Sequence, residues 1–575
     1  MNSHLNQVWS QAIAQQIILL GIKYCCISYG SRNTSLILSI SNEPLITTYY
    51  HFDERGLVFH ALGYAKATRN PVAIVVTSGS ALGNLYPGII EAYEQEIPLL
   101  ILTADRPSEL RSMGSNQTTD QVRLFSNHVV WQCDYPPPDS PEMIDKMSHS
   151  LSYALSKVTY PTRGPVHINL MFREPLQFSQ SFYCWTESLR SLPHYFSPEQ
   201  LTTDLFQVLS KQISFDKGGI IVVGSIDCNK AIRGIIALAE KLNWPILADI
   251  TSNIRGADSS NIIPYYDLLL DITPIRKELI PCCVLHFGGK VVSKRWLFWS
   301  EKLPLIPYVH ISNSSKNYNP NYRLTHRLYV KAADFCHQLF PLLASSSPDY
   351  LNEWRSLSGQ IKRKINKFYT EESKVSELHL PIFLSHLKSS FAIFISNSMP
   401  VRDADMLFFP TMPLRIFANR GISGIDGNIA TAIGIATSLE KPLIAVLGDV
   451  ASLHDLNSLL PLQSTPIPII FIIINNGGGG IFSFLPVAKV LSNESLDRAF
   501  AGKHTFSFIE FSKALQLLYF SPNSICELEE SILEAQRQAI PTVIEIKTDR
   551  EENYALHERF MLQMRIAMDA NALQR

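Results

Sequence analysis

LIAVLGDVASLHDLNSLLPLQSTPIPIIFIIINNGGGGIF, residues 443–482, is the stretch whose reading decides the fold. It reads as a buried strand over 443–447, a sharp turn at Gly448 and Asp449, and a helical piece from about Leu453. A second buried strand over 467–474 follows, ending in Asn475, Asn476 and four glycines. Two apolar runs joined by a helix are the pattern of a parallel βαβ unit. Both strands of such a unit open on one sheet edge, where open α/β folds bind ligands. Asp449 and Asn476 are therefore expected side by side, each offering an oxygen. A Mg²⁺ ion takes one or two protein oxygens and completes its octahedron with phosphate and water. The free N–H groups of a helix after Asp449 suit a diphosphate. The glycines at 477–480 let a backbone carbonyl approach a metal without steric cost. Singly, Gly-Asp after a strand and Asn-Asn-Gly are ordinary turn signals. Paired at this spacing across strand, helix and strand, they point to a metal and diphosphate site.

Around that stretch the chain has 575 residues, too long for a single core, so length suggests about three or four domains. Charged residues make up 18% and hydrophobic ones 46%, the composition of an ordinary globular protein rather than a disordered one. A net charge of −1 argues against a general nucleic-acid binder. Nine cysteines, with adjacent pairs at Cys25-Cys26 and Cys282-Cys283 and no CxxC, are expected to be reduced, buried thiols of a cytoplasmic protein. The first residues lack the basic start and long apolar run of a signal peptide, and no apolar stretch approaches the ~18 residues of a membrane span.

The first 105 residues alternate between the two periodicities. After an initial helix closed by Gly21, strands are expected over 23–28, 46–50, 72–76 and 98–103, and helices near 35–40, 54–67 and 81–93. This is a doubly wound sheet. Its loops carry the unusual residues: GSRNT at 30–34, HFDERG at 51–56, TSGSALGN at 77–84, TADRP at 103–107 and GSNQTTDQ at 114–121. Glu54 opens a helix, where a carboxylate is ordinarily a solvent-facing acid favoured by the helix dipole. Residues 179–200 read as a linker. Strand-like runs at 218–225, 245–250, 282–289 and 305–312 then define a second α/β domain. Its GSIDCNKA is no GxGxxG, so a dinucleotide site there is unsupported. SSSPD at 345–349 marks a break before the last domain, whose NSMPVRD (397–403) and NRGISGIDG (419–427) precede the opening stretch.

Gly-Asp followed some 25 residues later by Asn-Asn resembles the thiamine diphosphate motif. HFDERG before an amphipathic helix and VAIVVTSGSALGN resembles the element by which that superfamily brings a glutamate to the cofactor's pyrimidine ring. With GSRNT, TADRP, GSNQT, NSMPVRD, NRGISGIDG and NNGGGGIFSFLP, the resemblance narrows to one branch, the 2-succinyl-5-enolpyruvyl-6-hydroxy-3-cyclohexene-1-carboxylate synthases of menaquinone biosynthesis. It covers nearly the whole chain in the family's order, the central domain mainly around Lys294.

What the resemblance implies is specific. The fold is α/β, with three doubly wound domains built on mainly parallel sheets: pyrimidine-binding over 1–180, central without a cofactor of its own over 200–345, and diphosphate-binding over 350–575. The cofactors are thiamine diphosphate and Mg²⁺ or Mn²⁺. Glu54 is the catalytic acid on the pyrimidine, and Asp449, Asn476 and the Gly478 carbonyl are the metal ligands. Ile425 props the bent cofactor, and Gly448, Ala451 and Ser452 complete its contacts. Ser31, Arg32, Arg106, Asn116, Gln117, Lys294, Ser398, Arg402 and Arg420 form the substrate pocket, with Phe482 and Leu485 as apolar walls. The family is a transferase that decarboxylates 2-oxoglutarate and adds the remaining four-carbon unit 1,4 to isochorismate. Both substrates are dianions, and five cations on loop positions supply the charge, arginine with a planar fork for bidentate carboxylate recognition.

Three residues depart from the family pattern: Asn33 stands where Ser is usual, Val450 replaces the third motif residue, and Gly480 replaces a larger polar residue at the pocket rim. The rival expectations are another thiamine diphosphate-dependent decarboxylase or an acetolactate synthase and, from a different class, a non-catalytic paralogue or a nucleotide binder. Intact Glu54, Asp449 and Asn476 argue against a degenerate site. The family's sites form between subunits, so a homodimer or homotetramer is expected, with no nucleic-acid partner and no membrane span.

Overall fold

The computed structural model describes residues 2–159, 162–176, 215, 217–226, 228–272, 279–371, 373–387, 391–439 and 441–572. The linker expected over 179–200 lies outside the described residues. By its contacts the chain divides into two bodies, one of residues 1–198, 419–440 and 451–469, the other of 199–418, 441–450 and 470–575.

The first body holds a six-stranded sheet. Strands β1 (Tyr24–Ile27), β2 (Thr47–Tyr50), β3 (Val72–Val76), β4 (Leu99–Asp105), β5 (Trp131–Tyr135) and β6 (Val166–Met171) lie in the order β2-β1-β3-β4-β6-β5. All pairings in it are parallel. The buried runs YCCI, VAIVV and LLILTAD form its centre because a strand covered on both faces needs no polar alternation. The Asn2–Leu19 helix buries Trp9, Ile13 and Ile17 against one face and stops before Gly21, which at φ +76° takes a conformation suited to glycine. Helices Glu54–Thr68 and Ser80–Glu94 cover the other face. The Asn428–Ser438 helix lies against Glu54–Thr68 backbone to backbone: a Cβ on Gly63 would sit 2.1 Å from the Thr431 carbonyl oxygen.

The second body holds two sheets. Strands β7 (Ile220–Val223), β8 (Ile246–Ala248), β9 (Val284–Phe287), β10 (Tyr308–Ser312) and β11 (His326–Tyr329) pair in parallel in the order β11-β10-β9-β7-β8. Strands β12 (Ala392–Ile395), β13 (Ile416–Phe417), β14 (Leu443–Gly448), β15 (Ile469–Asn475), β16 (Leu518–Phe520) and β17 (Thr542–Lys547) follow the order β13-β12-β14-β15-β17-β16. The three parallel α/β sheets expected from the sequence are present, and β14 and β15 are neighbours, as the βαβ reading requires.

Two expectations are corrected. The helix placed from about Leu453 begins at Asp449 itself and runs only to Leu453, after which Leu456–Gln463 is a 3-10 helix. Pro461 within that segment has no N–H to donate to a longer α-helix. A five-residue turn has little macrodipole, so ligand binding here depends on individual donors. The thiols are not uniformly buried either: Cys228 and Cys526 are exposed, and Cys133 and Cys282 are half-buried. No disulfide links the described cysteines, and no described helix is long and apolar enough to cross a membrane.

Candidate active site

In the first body, HFDERG ends β2 and starts a helix. Asp53 caps it, its carboxylate accepting the Arg55 N–H at 2.8 Å, which makes Glu54 the first helical residue. Glu54 is half-buried at that N-terminus, where the dipole favours a carboxylate. Ser28 Oγ donates to its Oε1 at 3.0 Å and Asn84 Nδ2 reaches Oε2 at 3.5 Å. The end of β1, the start of Glu54–Thr68 and the start of Ser80–Glu94 thus converge on one carboxylate. Beside it, Arg55 donates to the His454 carbonyl at 2.7 Å, and Asn457 donates to Asp53, fastening the segment after Ala451 and Ser452 to this helix. Ala451 and Ser452 are both buried.

The substrate-pocket candidates of this body fall into two groups. Arg32 is buried and already engaged, donating to the Phe172 carbonyl at 3.0 Å and to Glu174 at 2.9 Å. Arg106 donates to Ser78 Oγ at 2.7 Å and to the Gln117 carbonyl at 2.6 Å. Burial first, then the nearby Arg32 charge, holds Arg106 below the usual guanidinium range. Ser31, Asn116 and Gln117 are exposed around them. Asn33 explains its own departure from the family: buried, it donates to the Ser28 carbonyl at 2.8 Å and accepts the Gly30 N–H at 3.0 Å, stapling the loop. Arg420 and Ile425 stand in a loop held at its base. Glu91, 1% exposed, accepts the Gly421 and Ile422 N–H groups at 2.8 and 2.7 Å, and Lys66 donates to Asn419 at 2.7 Å.

In the second body, Asp449 follows β14 and Asn476 follows β15. Asp449 Oδ2 accepts the backbone N–H groups of Asn476 at 3.1 Å and Gly478 at 2.9 Å, and Oδ1 accepts that of Val450 at 2.6 Å. Burial pushes the Asp449 carboxyl above the usual carboxylate range in spite of these donors, and His504 Nε2 lies 3.4 Å from Oδ2. Gly478 has φ +149°, and a Cβ there would meet the Ala501 carbonyl at 2.8 Å, so only glycine fits. Asn476 Oδ1 is buried and has no hydrogen-bond partner among the described residues, while Nδ2 is held by Glu377 at 2.9 Å. The Asp449 carboxylate, the Asn476 amide oxygen and the Gly478 carbonyl, which accepts the Gly480 N–H at 3.0 Å, follow the neighbouring strands β14 and β15 and are hard oxygen donors of the kind Mg²⁺ takes; the partnerless Oδ1 is what such a cation would satisfy. Among the described residues no group of three His, Cys, Asp or Glu side chains could hold a metal ion.

The same body contains a cavity of about 360 Å³ whose lining includes Lys294, Arg402, Leu485, Phe484 and His557. Lys294 opens the Lys294–Glu301 helix, capped by Ser293, whose hydroxyl donates to Asp267 at 2.5 Å. Arg295 is pinned by Asp267 and Asp271. Arg402 stands not on a loop but within the Met399–Leu407 helix, and Ser398 just before it has φ +73°, an uncommon conformation for a residue with a side chain. Phe482 packs on Phe500 at 5.8 Å, while Ile481 and Phe484 provide apolar lining.

Three buried groups escaped the sequence reading: Glu91, Glu377 and His557. Burial lowers the His557 pKa on its own, but the Asp403 carboxylate 3.1 Å from Nε2, joined by the Asn553 carbonyl and the Glu377 charge, outweighs it and raises the pKa above the usual imidazole value. Burial pushes Glu377 up to about 7.

Comparisons with known proteins agree with this geometry. Three domain descriptions match in order: the thiamine pyrophosphate enzyme N-terminal TPP binding domain over residues 8–124, the middle domain of thiamine pyrophosphate enzymes over 179–394, and the C-terminal TPP binding domain over 403–546. The chain is 34% identical over 571 residues to a 2-succinyl-5-enolpyruvyl-6-hydroxy-3-cyclohexene-1-carboxylate synthase of Rubrobacter xylanophilus, covering 97% of this chain and 98% of that one. Its counterpart in Salinibacter ruber is 32% identical over 579 residues, covering 98% and 97%. Protein PHYLLO, chloroplastic, of Arabidopsis thaliana is 30% identical over 611 residues, covering 98% of this chain and 36% of that longer protein. Fold and site therefore define a thiamine diphosphate-dependent enzyme. Within that class the chain belongs to the 2-succinyl-5-enolpyruvyl-6-hydroxy-3-cyclohexene-1-carboxylate synthase family. It is a transferase whose cofactors are thiamine diphosphate and Mg²⁺.

Proposed function

We propose that this chain removes CO₂ from 2-oxoglutarate and joins the remaining succinyl unit 1,4 to isochorismate, giving 2-succinyl-5-enolpyruvyl-6-hydroxy-3-cyclohexene-1-carboxylate. Thiamine diphosphate, when bound, supplies the electron sink for the decarboxylation and the nucleophilic carbon for the addition. The protein's part is binding, orientation and proton placement. Asp449, Asn476 and the Gly478 carbonyl would hold Mg²⁺ and through it the diphosphate, with Gly448, Ala451 and Ser452 beside it. Ile425 would support the cofactor's bent shape. Glu54, kept in place by Ser28, would share a proton with N1′ of the pyrimidine and so make the 4′-imino tautomer available as an internal base. Ser31, Arg32, Arg106, Asn116, Gln117, Lys294, Ser398, Arg402 and Arg420 would bind the substrate carboxylates, with Phe482 and Leu485 as apolar walls. For Arg32, that means exchanging its contact with the solvent-facing Glu174 for a substrate carboxylate.

The observation that carries this reading is the cavity where Lys294 and Arg402 meet the apolar Phe484 and Leu485, a surface suited to an anion with a hydrocarbon body. Domain boundaries at 1–180, 200–345 and 350–575 fit one sheet to each domain. We further propose a cytoplasmic homodimer or homotetramer with active sites at subunit interfaces. The test is spectrophotometric. With thiamine diphosphate, Mg²⁺ and isochorismate present, the isochorismate diene absorbance should fall only when 2-oxoglutarate is added. A fall without it, or none with it, would refute the assignment.

A further inference from the structure

Asn476 carries one oxygen and one nitrogen at the end of its side chain, and only the oxygen can hold a cation. Which of them faces the metal is decided by what holds the other. Nδ2 donates to Glu377 Oε1 at 2.9 Å, and the same oxygen accepts the Thr548 hydroxyl at 3.1 Å. An oxygen accepting two donors leaves no role there for the amide oxygen. Glu377 is 2% exposed, so water offers Asn476 no easy substitute for it. Oδ1 is left on the other side of the amide, buried and without a hydrogen-bond partner among the described residues. Gly480 completes the arrangement. A Cβ at that position would lie 2.7 Å from Asn476 Nδ2, so the glycine that departs from the family pattern is what gives the amide its room.

We propose that Glu377 is a positioning residue for the divalent cation: it fixes the Asn476 amide with nitrogen toward the protein and oxygen toward the metal. The inference rests on reading Asn476 as a metal ligand. Outer partners that orient a ligand typically change metal affinity 10- to 100-fold when removed. The contact also has a chemical signature that packing alone lacks. An acceptor at position 377 complements Asn476, but it repels the carboxylate introduced by Asn476→Asp. In that background Glu377→Gln supplies an N–H donor and relieves the repulsion.

The experiment is Mn²⁺ titration of the full-length protein with saturating thiamine diphosphate, reading free Mn²⁺ by electron paramagnetic resonance. Glu377→Leu, which removes the acceptor at similar volume, should weaken Mn²⁺ binding by about 10- to 100-fold. Glu377→Gln should strengthen Mn²⁺ binding in the Asn476→Asp background and fail to strengthen it in the natural one. Unchanged affinity in Glu377→Leu, or an equal effect of Glu377→Gln in both backgrounds, overturns the inference. Asn476→Ala separates the two levels. If it leaves Mn²⁺ affinity intact, the metal assignment itself is wrong. If it abolishes binding while the Glu377 variants are silent, only the positioning role falls.

Discussion

Gly434→Ala is a substitution whose outcome follows from two opposed magnitudes. A Cβ on Gly434 would lie 2.0 Å from the carbonyl oxygen of His60 and 3.0 Å from the Tyr64 nitrogen. Both are helix backbone, so no side chain can swing aside. The helices Glu54–Thr68 and Asn428–Ser438 would have to part by more than about 1 Å to restore an ordinary ~3.5 Å contact. Overpacking of this kind costs about 1–3 kcal/mol. Alanine gains roughly 0.8–1.0 kcal/mol over glycine inside a helix. With both contacts made by backbone the clash falls in the upper part of that range and wins, for a net loss of up to about 2 kcal/mol. Gly359, inside the Asp349–Glu371 helix, is the control, since the nearest atom to its Cβ is an Arg363 guanidinium nitrogen at 4.0 Å. Gly359→Ala keeps only the propensity gain and should stabilise by about 1 kcal/mol. Urea unfolding of the two variants beside the parent reads the opposite signs. Because Asn428–Ser438 follows directly on the loop bearing Arg420, Gly434→Ala should also raise KM for the anionic substrates, and Gly359→Ala should not. Equal stabilisation by both variants, with KM unmoved, would refute the backbone contact.

Glu54→Gln should lower kcat by the ~10²–10⁴-fold typical of lost acid–base catalysis, and near-normal turnover would remove Glu54 from its role. Asp449→Ala should abolish Mg²⁺-dependent thiamine diphosphate binding in calorimetry; tight binding that persists would reject the metal ligand set. His557 has a folded pKa above its unfolded value near ~6.5, so its pairing with Asp403 stabilises fully below that pH and is lost as pH rises through the folded pKa. His557→Gln should therefore be less stable than the parent at about pH 6, with the gap closing toward about pH 9. A gap that widens with rising pH would contradict the raised pKa.

How much of this could be read from the chain depends on sequence distance. The β14–β15 unit was legible because each strand is a continuous apolar run and the residues that matter stand at the strand ends. The helix start at Glu54 was legible because Asp53 and the helix that follows are local. Glu377 was not: its partner Asn476 is 99 positions away, and SELHLP looks like any helix start. Glu91 stands 330 positions from the Gly421 N–H it accepts, in a helix whose apolar pattern gives no sign of a buried acid. The short helix after Asp449 was misjudged because DVASL precedes a proline-interrupted segment with no clear period. Asn33 and Gly480 read as departures of unknown effect. Their meaning lay in a loop staple and in the space beside the Asn476 amide, neither of which a sequence displays.

The central claim concerns which bond forms, and isotope tracing reads that directly. The full-length protein with thiamine diphosphate and Mg²⁺ is given isochorismate and 2-oxoglutarate labelled with ¹³C at the keto carbon. The account predicts that the label appears as a ketone carbon bonded to the six-membered ring, with one CO₂ released per isochorismate consumed. Label recovered as free succinic semialdehyde, with isochorismate untouched, would contradict it.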